Sequence, residues 1–300
     1  MGLNSTLTTE CVPNESELER SHFVECYWMN ELIQNQLIDE LLIRSQLGNE
    51  FKTLNNLSYQ VCILEMKKID HEHSAESISD SMGIHFFSIV RSIFEQYSFR
   101  CFMTIQDQRL AILAFDLFPT NTKKEQLKKK EKLELISKQI DNVLNNRETR
   151  KKFQVYMGIS STYKGLNNTH YCYEEANKAI LLKSFFQSST IFYDDLGTLE
   201  ILLNLHEKGK LESFVLRYIG PLIEEDRKKN SDLLKTLKIY LDRNGSKQSV
   251  ADELHIVRQS LYYRLAKIKE LLGEDYMCTK NKLALQLAIQ AYELLSMEVG

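Results

Sequence analysis

Between Ile256 and Lys269 the sequence holds Arg258, Arg264, Lys267 and Lys269 and not one carboxylate. Gln259, Ser260, Tyr262 and Tyr263 lie among these cations. Such a mixture suits one kind of chemistry well. Cations neutralise phosphates, while polar side chains at the start of a helix reach base edges in the major groove of DNA. The same composition also fits an amphipathic helix whose basic face is simply solvated.

Which reading holds depends on what positions these residues. From Ser246 to Leu272 the chain reads as two short helices joined by about three residues. Val250 and Leu254 lie four apart in the first. Leu261, Leu265, Ile268 and Leu272 step by four, three and four in the second, which is one helix face. Asn244-Gly245 predicts a turn that hands the chain to Ser246, whose hydroxyl suits a helix N-cap. His255-Ile256-Val257 makes the corner, with Ile256 placed to plug the angle between the helices. That is a helix-turn-helix pattern, with Arg258, Gln259 and Ser260 at the groove-facing start of the second helix. Tyr263, Arg264 and Lys267 follow, directed mostly at phosphates.

The stretch YLDRNGSKQSVADELHIVRQSLYYRLAKIKELLG resembles the C-terminal helix-turn-helix of the PucR/CdaR family of bacterial transcriptional regulators. The resemblance is carried by Tyr240, Leu241, Asn244, Ala251, Leu254, Arg258, Leu261, Tyr263, Arg264, Leu265, Ile268, Leu271, Leu272 and Gly273. Val257 stands where that pattern has histidine, Gln259 replaces asparagine and Ser260 replaces threonine. Gln259 and Ser260 keep hydrogen-bonding chemistry; Val257 cannot cap a helix. The resemblance implies double-stranded DNA as partner, a homodimer, and a small-molecule effector of unknown identity.

The whole chain sets bounds on this reading. Three hundred residues with 43% hydrophobic and 26% charged content form a real core in one large or two to three modest domains. A net charge of −3 argues against indiscriminate coating of nucleic acid, though a locally basic helix can still read DNA. No membrane span and no signal segment are visible, so a soluble, cytoplasmic protein is expected.

Residues 1–14 read as a loose tail, and 15–56 as a helical segment that either dimerises or packs on the next domain. About 50 residues precede the first strand, so an additional N-terminal sensor domain is not expected. Over 57–195, strands at Tyr59–Lys67, Ser98–Ile105, Arg109–Leu117 and Phe153–Ser160 alternate with helices. This predicts an α+β sandwich with a mainly antiparallel sheet. Its order, together with GISSTYKGLNNTHYCYEEANKAI and FYDDLG, resembles the degenerate GGDEF-like domain of the same family. Residues 196–230 read as an all-α connector punctuated at Gly209 and Gly220-Pro221, and 231–300 as the helix-turn-helix domain.

Catalysis is not expected. A diguanylate cyclase needs paired glycines at its hairpin and acids to hold metal, whereas this hairpin reads IQDQRL. Phosphate-loop, dinucleotide and serine-elbow motifs are absent. His71 and His73 suggest a polar loop rather than a metal site, and no cofactor is implied. The six cysteines, widely spaced, read as reduced thiols. KKEQLKKKEK, Lys123–Lys132, reads as a solvated helix surface. A second class stays open: a nucleotide-binding or nucleotide-processing protein that uses the middle domain, with the C-terminal helices as an assembly module.

Overall fold

A computed structural model describes residues 27–34, 40–48, 50–68, 84–118, 122–145 and 153–297. The predicted tail at 1–14, Cys11, Cys26 and the His71/His73 pair lie outside the described residues. The chain forms two compact units, Met1–Asp195 and Leu196–Gly300.

The first unit contains α1 (27–34), α2 (Glu40–Leu47), α3 (Glu50–Asn56), β1 (Ser58–Lys68), α4 (Ile84–Gln96), β2 (Phe99–Gln106), β3 (Arg109–Asp116), α5 (Lys123–Leu144), β4 (Phe153–Ile159), β5 (Tyr163–Lys164), α6 (Thr169–Leu181) and β6 (Thr190–Phe192). Its sheet order is β2-β3-β1-β4-β6, with β5 also paired to β1. Among the described residues only β4 and β6 run parallel. β1 is central and buried on both faces, which explains its nearly unbroken apolar run. The period of two sorts its side chains. Cys62, Leu64 and Met66 join Val90, Phe94, Leu133 and Ile136 from α4 and α5 on one face. Tyr59, Val61 and Ile63 join Trp28, Leu32, Cys172 and Ile180 from α1 and α6 on the other.

The α+β sandwich expected from sequence is therefore present, with helices on both faces of a mainly antiparallel sheet. The helical segment expected over 15–56 comprises three short helices within its described part, broken at Gly48 (φ +51). Trp28, Met29, Leu32 and Ile33 are buried against the sheet, whereas Tyr27 and Leu41 of the same segment are exposed. The two-residue strand β5 went unrecognised, being too short to show alternation.

The second unit is all helical: α7 (Thr198–Glu207), α8 (Leu211–Lys229), α9 (Leu233–Asp242), α10 (Lys247–Leu254), α11 (Arg258–Leu272) and α12 (Thr279–Met297). Gly220-Pro221 does not end α8, which continues through it. Pro221 removes one backbone donor, but Val215, Ile219 and Leu222 bury one face along both halves and keep the axis continuous. The break comes at Asn230 and Asp232, both with left-handed backbones (φ 51° and 55°). Across it, the Asp226 carboxylate accepts the N–H groups of Leu233 at 2.7 Å and Leu234 at 2.8 Å. An acid from α8 thus satisfies the open N-terminus of α9.

Candidate nucleic-acid interface

Within the second unit, α9, α10 and α11 share a small core. Leu233, Leu237 and Leu241 of α9 are buried together with Val250 and Ala251 of α10 and Leu261, Leu265 and Ile268 of α11. The corner between α10 and α11 is built by backbone. His255 takes a left-handed conformation (φ 53°), and the Ile256 N–H returns to the Ala251 carbonyl at 3.1 Å. Ser246 occupies the N-cap of α10, as its position predicted. Its hydroxyl, however, pairs with Ser249 Oγ at 2.9 Å and makes no capping bond to the backbone.

Val257 precedes α11 with extended backbone and provides no side-chain cap. The first-turn amides of Arg258, Gln259 and Ser260 are therefore left without a capping side chain, at the positive end of the helix dipole. Val257 is 69% exposed and Tyr263 75% exposed. Gln259, Tyr263 and Ala266 follow at spacings of four and three, opposite the buried stripe Leu261, Leu265 and Ile268. This is the outward line of the helix.

The six predicted contact residues do not share this line. Gln259 and Tyr263 lie on it, and Ser260 is exposed beside it. Arg258 is exposed on the flank toward α10, where its guanidinium donates to Gln248 Oε1. Arg264 is on the opposite flank and turned inward. Its Nη1 donates to Thr236 Oγ1 at 3.1 Å, Nη2 lies 3.5 Å from the Asp232 carboxylate, and its side chain is only 23% exposed. Lys267 is held by Glu270 at 2.7 Å, which favours its charged form and raises its pKa.

Sequence reasoning passed over Lys247 and Gln248, which open α10 beside the start of α11. Lys247 Nζ sits 4.6 Å from the centre of the Tyr262 ring, and Gln248 also donates to Asp252 at 2.8 Å. Their signal was weak: two ordinary polar residues, informative only once Arg258 and Tyr262 are known to face them.

The end of the sheet where a cyclase would place its chemistry is differently furnished. Asp107 and Gln108 make the β2–β3 turn, both with positive φ (47° and 61°). The neighbouring carboxylate, Glu65, is 14% exposed and bound by Arg109 at 2.7 Å and by Lys183. Among the described residues, no group of three or more potential metal ligands is found.

A GGDEF-like α/β domain followed by a helix-turn-helix bundle defines the class. Comparison with known families agrees in both parts. The model of the PucR C-terminal helix-turn-helix domain matches residues 233–291, and that of the GGDEF-like domain matches residues 45–182. In both of these parts the chain is similar to PucR-type helix-turn-helix proteins. It is 28% identical over 124 residues to the proline-responsive transcriptional activator PutR of Bacillus subtilis, covering 40% of this chain and 30% of that one. It is 29% identical over 150 residues to the purine catabolism regulatory protein of B. subtilis, covering 48% and 27%. With the transcriptional activator PmfR of Paenarthrobacter nicotinovorans it shares 32% over 138 residues, covering 46% and 28%. The matches thus span less than a third of each relative's length.

Proposed function

We propose that this protein is a DNA-binding transcriptional regulator that reads an operator through α11. The observation that carries this reading is the outward line of that helix. Gln259 and Tyr263, with Val257 and the uncapped amides at its start, present hydrogen-bonding and apolar groups where a major groove would lie. Lys247 and Arg258 flank the line as phosphate contacts. Arg264 acts differently from the other cations, holding α11 against α9. Lys267, tied to Glu270, makes at most a salt-sensitive phosphate contact.

PutR, PmfR and the purine catabolism regulator are named as regulators, which supports the same role here. We infer a homodimer, because a single helix of this size covers only one half-site of an operator. A catalytic role for the sheet domain is disfavoured by the pairing of Glu65 with Arg109 and Lys183 and by the glycine-free turn at Asp107-Gln108. Among the described residues no helix is long and apolar enough to cross a membrane.

Selection of source-genome fragments by the purified protein tests the proposal. At ~150 mM salt, where phosphate-only binding is largely suppressed, enrichment of a few fragments is expected. Uniform recovery of all fragments, or none, contradicts it.

A further inference from the structure

The sheet domain carries a second polar site, at the end of the sheet away from the β2–β3 turn. The strand register sets this: Leu64 of β1 pairs with Leu110 next to the turn, whereas Tyr59 pairs with Phe115. At that far end, Ser58, Asp116, Thr162 and the first turns of α5 line a cavity of about 160 Å³. This is room for a small metabolite rather than a nucleotide.

The charges within it are incompletely matched. Asp116 is 9% exposed; its Oδ1 accepts the Phe118 N–H at 3.1 Å, and Oδ2 has no hydrogen-bond partner among the described residues. Lys129 is half-buried and reaches only the neutral Thr162 hydroxyl, at 3.4 Å. Burial lowers its pKa from the ordinary lysine value, an effect that Asp116 and Asp194 oppose from a distance. Glu125, also lining the cavity, is already engaged, since its carboxylate accepts the Thr122 N–H at 3.2 Å in the capping box of α5. A carboxylate and an ammonium therefore share one small cavity without forming an ion pair. Sequestered charges are costly unless matched by opposite charge and hydrogen bonds. A lone anion would satisfy Lys129 but face Asp116, and a lone cation would do the reverse.

We propose that this cavity binds a small zwitterion of the α-amino acid class, with the ligand carboxylate on Lys129 and its ammonium on Asp116. Ser58 and Thr162 add hydroxyl partners. If the chain is a DNA-binding regulator, this ligand is its effector; binding itself is measured without DNA, so failure here leaves the DNA-reading proposal intact, and the converse.

The test is calorimetric titration of the full chain with each protein amino acid. N-acetylated and carboxamide derivatives, and inorganic phosphate, serve as controls. At least one free amino acid should bind and raise the Tm by roughly 5 °C near saturation. Blocking either end should weaken binding about tenfold or more, the loss of one charge-assisted contact. Lys129→Gln and Asp116→Asn should each do the same. Should either variant fail to fold, the blocked derivatives still decide the matter. Absence of binding by every amino acid overturns the proposal. So does equal binding by phosphate or by the blocked forms, or binding that survives both substitutions.

Discussion

Arg264 shows how residue type and residue position can point in different directions. Its type, in a run of cations without carboxylates, marked it for phosphate. Its spacing marked it otherwise: three residues after Leu261 and four before Ile268, it borders the buried stripe of α11. Thr236 and Asp232 complete the inward site, and neither is visible from the α11 sequence. Arg264→Ala should cost about 1 kcal/mol in denaturant unfolding, the value of a half-buried hydrogen bond and ion pair. Unchanged stability with strongly weakened DNA binding would return Arg264 to the groove. The reverse holds at Gln259, where alanine should leave stability within about 0.5 kcal/mol, as at an ordinary surface position. Gln108 offers an independent check on the turn. A non-glycine residue held at φ 61° is strained, so Gln108→Gly should stabilise the protein by about 1 kcal/mol.

At the scale of elements, the sheet domain was legible because its strands obey simple rules. The hairpin expected at Ser98–Ile105 and Arg109–Leu117 is found at Phe99–Gln106 and Arg109–Asp116, each end displaced by no more than one residue. Lys123–Lys132, expected as a solvated helix surface, forms the first half of the long α5, Lys123–Leu144. Elements fixed by distant partners were not legible. The continuity of α8 through Gly220-Pro221 depends on a buried face, and the start of α9 depends on Asp226 seven residues upstream. Removing that acid by Asp226→Ala should cost about 1–2 kcal/mol, as for loss of a helix cap that serves more than one amide. A second element contact is tighter still. A Cβ added at Gly158 of β4 would come 2.4 Å from the Ala176 carbonyl oxygen and 2.5 Å from Ile180 Cγ1. Both atoms belong to α6, one of them backbone, so Gly158→Ala forces helix and sheet apart. A loss of about 2 kcal/mol or more is expected, within the range of overpacked cores.

For the whole molecule, two observations bear on the regulator reading at once. The chain is acidic overall, at −3, yet the exposed start of α11 carries no acid. A net negative charge opposes indiscriminate binding to nucleic acid, and the proposed reading surface is free of acid. The relatives named above are regulators, and the likeness covers less than half of this chain in each of the three. The line of side chains on α11, rather than the likeness, has to carry the claim. The most direct test compares the affinity of the protein for its enriched genomic fragment with that for a shuffled fragment, at ~150 mM salt. The wild type should prefer its own fragment by about a thousandfold or more. A Gln259→Ala, Tyr263→Ala double variant of unchanged Tm should lose most of that preference while keeping its affinity for shuffled DNA. If the double variant discriminates as well as the wild type, α11 does not read the operator, and the account is wrong at its centre.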